Sequence, residues 1–162
     1  MAIYTDVYNN PHEKPENTPI VWRPSAYTLI VEDGKLLMIQ PSWHKQWELP
    51  GGGVEKEELL HEGGVRETLE ETGYTVTIDN IEPFFVESCR FYIDLITKNT
   101  FCNSIKAFYL ATRTDDAQQE LHQNPHGINE TEQMKWIPLT ELTDKIVLHA
   151  HWPAVKKLLE KK

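Results

Sequence analysis

Gly52 to Tyr74 reads GGVEKEELLHEGGVRETLEETGY, and the organisation of the chain can be read outward from it. The spacing predicts a helix over roughly 58–72, closed by Gly73 as a C-terminal cap. On such a helix Glu70 lies at 300° from Glu67 and Glu71 at 40°, so the three carboxylates share an arc of about 100°. Gathered like this they repel one another by a few tenths of a kcal/mol per pair. A hard divalent cation reverses the sign, because Mg²⁺ takes a few carboxylate oxygens together with water and substrate phosphates.

The residues around the glutamates complete that pattern. Gly51, Gly52 and Gly53 read as a turn whose bare backbone can approach a ligand closely. Arg66, always charged, can orient the carboxylates and limit their repulsion. Glu58 sits where the helix dipole favours it and within reach of Arg66. Taken singly, each feature has an ordinary explanation: a solvated acidic face, a turn, a cap. Seven specified residues at fixed offsets (Gly52, Glu58, Arg66, Glu67, Glu70, Glu71, Gly73) arise by chance in a chain this size roughly once in a million.

Upstream, residues 1–19 read as a loose N-terminal arm, and residues 20–162 as one domain. Ser25–Val31 is strand-like, Asp33-Gly34 signals a two-residue hairpin, and Lys35–Gln40 is the partner strand. A Trp- and His-bearing loop, 42–46, leads into Trp47-Glu48-Leu49-Pro50 and the glycines. Downstream, strands are expected over 74–78, 83–93, 100–111 and 134–137, a polar loop over 113–131, a helical turn at 138–142 and an amphipathic helix over about 149–161. Strands flanking a central helix, with a second helix last, imply an α/β fold with a mixed sheet between helices.

The 162 residues suffice for one domain with a buried core. Acidic residues exceed basic ones by 25 to 16, for a formal charge of -9, and no Lys/Arg cluster stands out, which argues against a nucleic-acid partner. No apolar run approaches the ~20 residues of a membrane span. The polar N-terminus is not a secretory signal, and Cys89 and Cys102 read as reduced thiols, so a cytoplasmic setting is expected.

The segment resembles the signature of the Nudix hydrolases: Gly, five residues, Glu, seven residues, Arg-Glu, an aliphatic residue, any residue, Glu-Glu, any residue, Gly. All seven fixed residues are present, and Trp47–Gly52 is similar to the family's lead-in. Thr68 and Tyr74 stand where aliphatic residues are usual, Gly63 and Gly64 where alanines are common, and Glu57 where glycine is frequent. None of these removes a ligand. Close packing of the helix on the sheet would explain the two small residues.

The resemblance implies an α/β/α sandwich that hydrolyses a nucleoside diphosphate linked to some group X. It implies that Glu67, Glu70, Glu71 and the Gly51 carbonyl hold Mg²⁺ or Mn²⁺, and that Glu67 or a loop glutamate is the general base. Glu130, six residues before Trp136, is the loop candidate, with Glu132 its competitor. Gly52, Gly53, His44 and Lys45 are expected to meet the substrate, with Arg66 catalytic and Glu58 and Gly73 structural. Arg23 and Arg90 are further phosphate candidates, and Trp43, Trp47, Phe91, Tyr92 and Tyr109 candidates for stacking on a base. A small nucleotide such as a nucleoside triphosphate is the expected substrate. Two alternatives stand beside it: a silent module that senses a nucleotide, and an isoprenoid diphosphate isomerase. Many relatives dimerise, so the resemblance leaves a homodimer open.

Overall fold

The Asp33-Gly34 pair adopts positive φ at both residues, 48° and 73°, the left-handed conformations that a tight two-residue hairpin requires. In the computed structural model, which describes residues 2–95, 98–114 and 131–161, this hairpin joins β3 (Ile20–Glu32) to β4 (Lys35–Pro41). The remaining strands are β1 (Ile3–Thr5), β2 (Pro11–Glu13), β5 (Gly51–Gly53), β6 (Val76–Ile78), β7 (Phe85–Leu95), β8 (Lys98–Arg113) and β9 (Thr131–Pro138). Among the described residues two α-helices, α1 (Leu60–Thr72) and α2 (Trp152–Glu160), and a 3-10 turn at Leu139–Glu141 complete the domain.

The strands form a mixed sheet in the order β2-β1-β7-β8-β3-β4-β9, with β5 paired to β3 and β6 to β8. The two long central strands, β3 and β8, run parallel over eleven residue pairs, from Ile20↔Phe101 to Ile30↔Ala111. Alternation sorts their side chains between two layers. Tyr27, Leu29 and Phe108 pack with Ala154 and Val155 of α2. Ala26, Thr28 and Ala107 face the other way, toward α1. The expected sandwich of helices about a mixed sheet is therefore present.

The segment 2–19 is not a loose arm. It makes a hairpin, β1 with β2, whose first strand pairs in parallel with β7 at Thr5↔Phe91. Its turn is organised by Asp6, whose carboxylate accepts hydrogen bonds from the backbone N–H of Tyr8 (2.9 Å) and Asn10 (2.8 Å) and meets His12 Nε2 at 2.9 Å. His12 stacks on Tyr92 at 4.0 Å. Among the described residues, no helix is long and apolar enough to cross a membrane.

Candidate active site

Helix α1 ends as its sequence predicts: Gly73 takes φ 72° and its N–H donates to the Leu69 carbonyl at 2.8 Å. The helix lies close against the sheet. A Cβ on Gly64 would sit 3.4 Å from the Ala26 Cβ, and one on Gly63 would sit 2.9 Å from Val54 Cγ2. Thr68 satisfies its buried hydroxyl by donating to the Gly64 carbonyl at 2.7 Å, with the Thr28 hydroxyl 2.8 Å away. Polar Thr68 thus fits a position where an aliphatic side chain is usual.

The three glycines form a strand rather than a turn. Gly51, Gly52 and Gly53 pair antiparallel with Tyr27, Ala26 and Ser25. At Gly51, φ is 140°, and a Cβ would fall 2.2 Å from the Ala26 carbonyl oxygen. The Gly51 N–H donates to Glu71 Oε2 at 2.8 Å. On the α1 side of Gly52 lies Glu67, whose carboxylate is 2.8–2.9 Å from where a Cβ would be. Two glutamates one turn apart therefore reach consecutive residues of one bare strand.

Arg66 ties the rest together. Its Nε donates to Glu58 Oε1 at 2.6 Å, and Nη2 donates to Glu58 Oε2 at 3.1 Å and to the Gly53 carbonyl at 2.9 Å. Nη1 lies 3.1 Å from Glu67 Oε1 and 3.4 Å from Glu70 Oε2. The bonds from Arg66 hold the Glu58 carboxyl below the usual carboxylate range, and the same bonds push the guanidinium further up. Glu58 also accepts from the Glu55 N–H at 3.0 Å, which fixes the turn into the helix.

The lead-in is positioned from the opposite layer. His151, fully enclosed, accepts the Leu49 N–H on Nδ1 at 3.1 Å, and the Pro50 carbonyl accepts the Thr28 N–H at 2.9 Å. Burial, then the charge of Lys106, drives the His151 pKa well below its ordinary value, so the ring is neutral. Sequence reasoning did not single out His151; a histidine just before an apolar helix carries no local signal for a contact made 102 residues away.

A NUDIX domain family model matches residues 22–161. The chain belongs to the Nudix family. A MutT-like protein of Streptomyces ambofaciens is 37% identical over 71 residues, 44% of this chain and 46% of that protein. A Bacillus subtilis protein provisionally named an 8-oxo-dGTP diphosphatase is 37% identical over 54 residues, 33% of this chain and 36% of that protein. The match therefore spans less than half the length of these curated relatives. Among solved structures, a MutT Nudix hydrolase from Burkholderia pseudomallei shares the fold with a TM-score of 0.62 at 23% identity, covering 85% of this chain and 98% of that one. A Nudix-family hydrolase from Clostridium perfringens does so with a TM-score of 0.59 at 23% identity, covering 83% and 97%.

Nudix hydrolases generally use divalent cations. Among the described residues of this Nudix domain, no three acidic, His or Cys side chains converge to hold an ion. Arg66 and the Gly51 N–H engage the carboxylates instead. The donor set still fits Mg²⁺, which is held by one or two carboxylates with substrate phosphates and water making up its octahedron. Glu67 and Glu71, meeting at Gly51 and Gly52, supply such a pair.

The other expected site residues fall into two groups. Arg23 lies beside the glycine strand: its Nη2 is 3.4 Å from where a Gly53 Cβ would be. Lys45 is exposed and reaches Glu132 Oε2 at 3.3 Å, linking the 42–46 loop to the start of β9. His44 is buried, with Nε2 bonded to Glu48 and Nδ1 accepting the Gln46 N–H at 3.2 Å. Arg90 is exposed on β7, away from the glycine strand. Tyr92 and Tyr109 are buried, Trp47 packs on the core, and Trp43 is half exposed. Glu130 and most of the expected polar loop lie outside the described residues.

Proposed function

We propose that this Nudix domain hydrolyses a diphosphate linkage in a small nucleotide-like substrate, using Mg²⁺ or Mn²⁺ held by Glu67, Glu70, Glu71 and the Gly51 carbonyl. The observation that carries this reading is the Arg66 hub, which draws Glu58, Glu67, Glu70 and the Gly53 carbonyl into one cluster. When bound, the cation neutralises the diphosphate, stabilises charge on the leaving oxygen and activates water for attack on phosphorus.

The chain's own residues do the rest. Gly52 and Gly53 let the diphosphate approach the strand closely, and Arg23 and Lys45 supply positive charge for its oxygens. Glu67, or Glu130, accepts the proton of the attacking water as the new P–O bond forms. The bridging P–O bond breaks, and the departing phosphate carries the electron pair away. Arg66 keeps Glu67 and Glu70 in position through this step.

The test is a product analysis. The protein is incubated with Mg²⁺ and a panel of nucleotides and isoprenoid diphosphates, and the products are identified. Release of a mononucleotide is the expected result. Binding without turnover would mark a sensor module, and an isomerised diphosphate would mark the isomerase; either outcome overturns the hydrolase reading.

A further inference from the structure

Trp47, in the lead-in to the glycine strand, makes a short parallel pairing with Val147. Its N–H donates to the Ile146 carbonyl at 2.8 Å, and its carbonyl accepts the Leu148 N–H at 2.9 Å. Parallel ladders space their bonds evenly, so the next rung would run from the Leu49 N–H to the Leu148 carbonyl. That carbonyl is already taken. The chain turns into α2 there, and Leu148 accepts the N–H groups of His151 (2.8 Å) and Trp152 (3.0 Å). The His151 ring supplies an acceptor in its place, and Nδ1 takes the Leu49 N–H at 3.1 Å. A side chain thus carries the third rung of a backbone ladder.

This rung is buried at both ends. Leu49 is 0% exposed and His151 2%, so without the ring the Leu49 N–H would be a buried donor out of reach of water, which is costly. Accepting on Nδ1 leaves the ring proton on Nε2. Burial, then the charge of Lys106, keeps the imidazole from taking a second proton, which would turn the acceptor into a donor.

Two paths lead from the ring to Gly51. Along the chain, Leu49 is joined to Gly51 by Pro50, whose φ is fixed and whose carbonyl accepts the Thr28 N–H at 2.9 Å. A displacement of Leu49 is therefore passed on to Gly51. Across the sheet, the His151 ring packs on Tyr27 with 4.3 Å between centroids. Tyr27 is the register partner of Gly51, and its Cδ1 lies 2.8 Å from where a Gly51 Cβ would be. The imidazole backs Gly51 both through the lead-in and through its β3 partner, where the Gly51 N–H donates to Glu71.

We propose that His151 is a positioning residue for the cation site, its Nδ1 fixing the lead-in so that the Gly51 carbonyl meets the metal beside the α1 carboxylates. This role rests on the hydrolase reading, which makes that carbonyl a ligand. Mn²⁺ titrations of the full chain, followed by the electron spin resonance of free Mn²⁺, test it without any turnover. Three variants separate the acceptor from the packing. His151→Asn keeps an acceptor at the place of Nδ1, since Oδ1 is likewise one bond from Cγ. His151→Gln carries the same amide one bond further out, and His151→Leu has no acceptor.

His151→Gln and His151→Leu should weaken Mn²⁺ binding about tenfold, the worth of one hydrogen bond, while His151→Asn stays within about threefold of wild type. Exchange of the Leu49 amide proton should speed up by a similar factor in the same two variants and not in His151→Asn. Should His151→Leu fail to fold, the comparison of His151→Asn with His151→Gln decides. Equal Mn²⁺ affinity in wild type and His151→Gln, or a loss as large in His151→Asn as in His151→Gln, overturns the assignment. Nucleotide cleavage by a wild type whose metal affinity ignores residue 151 would sink this inference and leave the hydrolase intact. The expected ranking of affinities with no cleavage of any nucleotide would do the opposite, and a wild type that binds no Mn²⁺ overturns both.

Discussion

Replacing Arg66 by alanine removes one guanidinium and leaves Glu58, Glu67 and Glu70 together without their counter-charge. Arg66 makes five polar contacts of 3.4 Å or less, two of them a fork on Glu58. Fully buried pairs cost about 3–5 kcal/mol to break and exposed pairs about 0.2–1 kcal/mol. With the Arg66 side chain 27% exposed, the loss should fall between these limits, at about 2–3 kcal/mol. For a domain of this size that lowers Tm by roughly 4–12 °C.

The pH dependence gives a second readout. Arg66 depresses the folded pKa of Glu58 below its ordinary value of 4.5. The stabilisation is therefore fully present above the unfolded pKa and is lost as pH falls through the lower folded value. Denaturant melts of both proteins from pH 7 to pH 3 should show a gap that is constant down to about pH 5 and narrows below. A gap under about 0.5 kcal/mol at pH 7, or one that widens in acid, would rule out this role for Arg66.

Further expectations concern the glycines and the carboxylates. Gly64→Ala should stabilise the fold by about 0.5–1 kcal/mol in denaturant melts, since its Cβ meets only ordinary contacts at 3.4 Å. Gly63→Ala should gain nothing or lose about 1–3 kcal/mol, because its Cβ presses on Val54 and on Glu58, 3.1 Å away. Gly52→Ala should displace the Glu67 carboxylate and cut turnover about a hundredfold while circular dichroism stays unchanged. Gly51→Ala meets backbone at 2.2 Å and should fail to give a folded protein at all. Loss of Arg66 should also weaken Mg²⁺ binding in a calorimetric titration, and an unchanged affinity would count against its orienting role.

What could be read from the sequence was local or followed a strict period. The α1 helix, its Gly73 cap and the Asp33-Gly34 turn depend on residues a few positions apart, and the structure shows them near their expected bounds. The arrangement of Arg66 with Glu58 followed from an eight-residue spacing along the same segment. The misreadings were non-local. The glycine strand is set by pairing with Ser25–Tyr27, and the N-terminal hairpin by pairing with β7. Turn-rich composition in both segments pointed to irregular chain. The 42–46 segment is polar, yet its His44 is buried and bonded to Glu48. For Lys106 a signal existed: it falls in phase with Cys102, Phe108 and Leu110 on an inward-facing period of two.

The proposed role of the α1 carboxylates and the bare strand beside them is to carry a cation to a diphosphate. Turnover of a nucleotide substrate by the wild-type chain and by Glu71→Gln, followed across a Mg²⁺ titration, tests it most directly. The wild type should be silent in chelator and saturate with Mg²⁺, while Glu71→Gln, folded as before, should lose orders of magnitude at every concentration. Hydrolysis that persists in chelator, or a glutamine variant matching the wild type throughout, would contradict it.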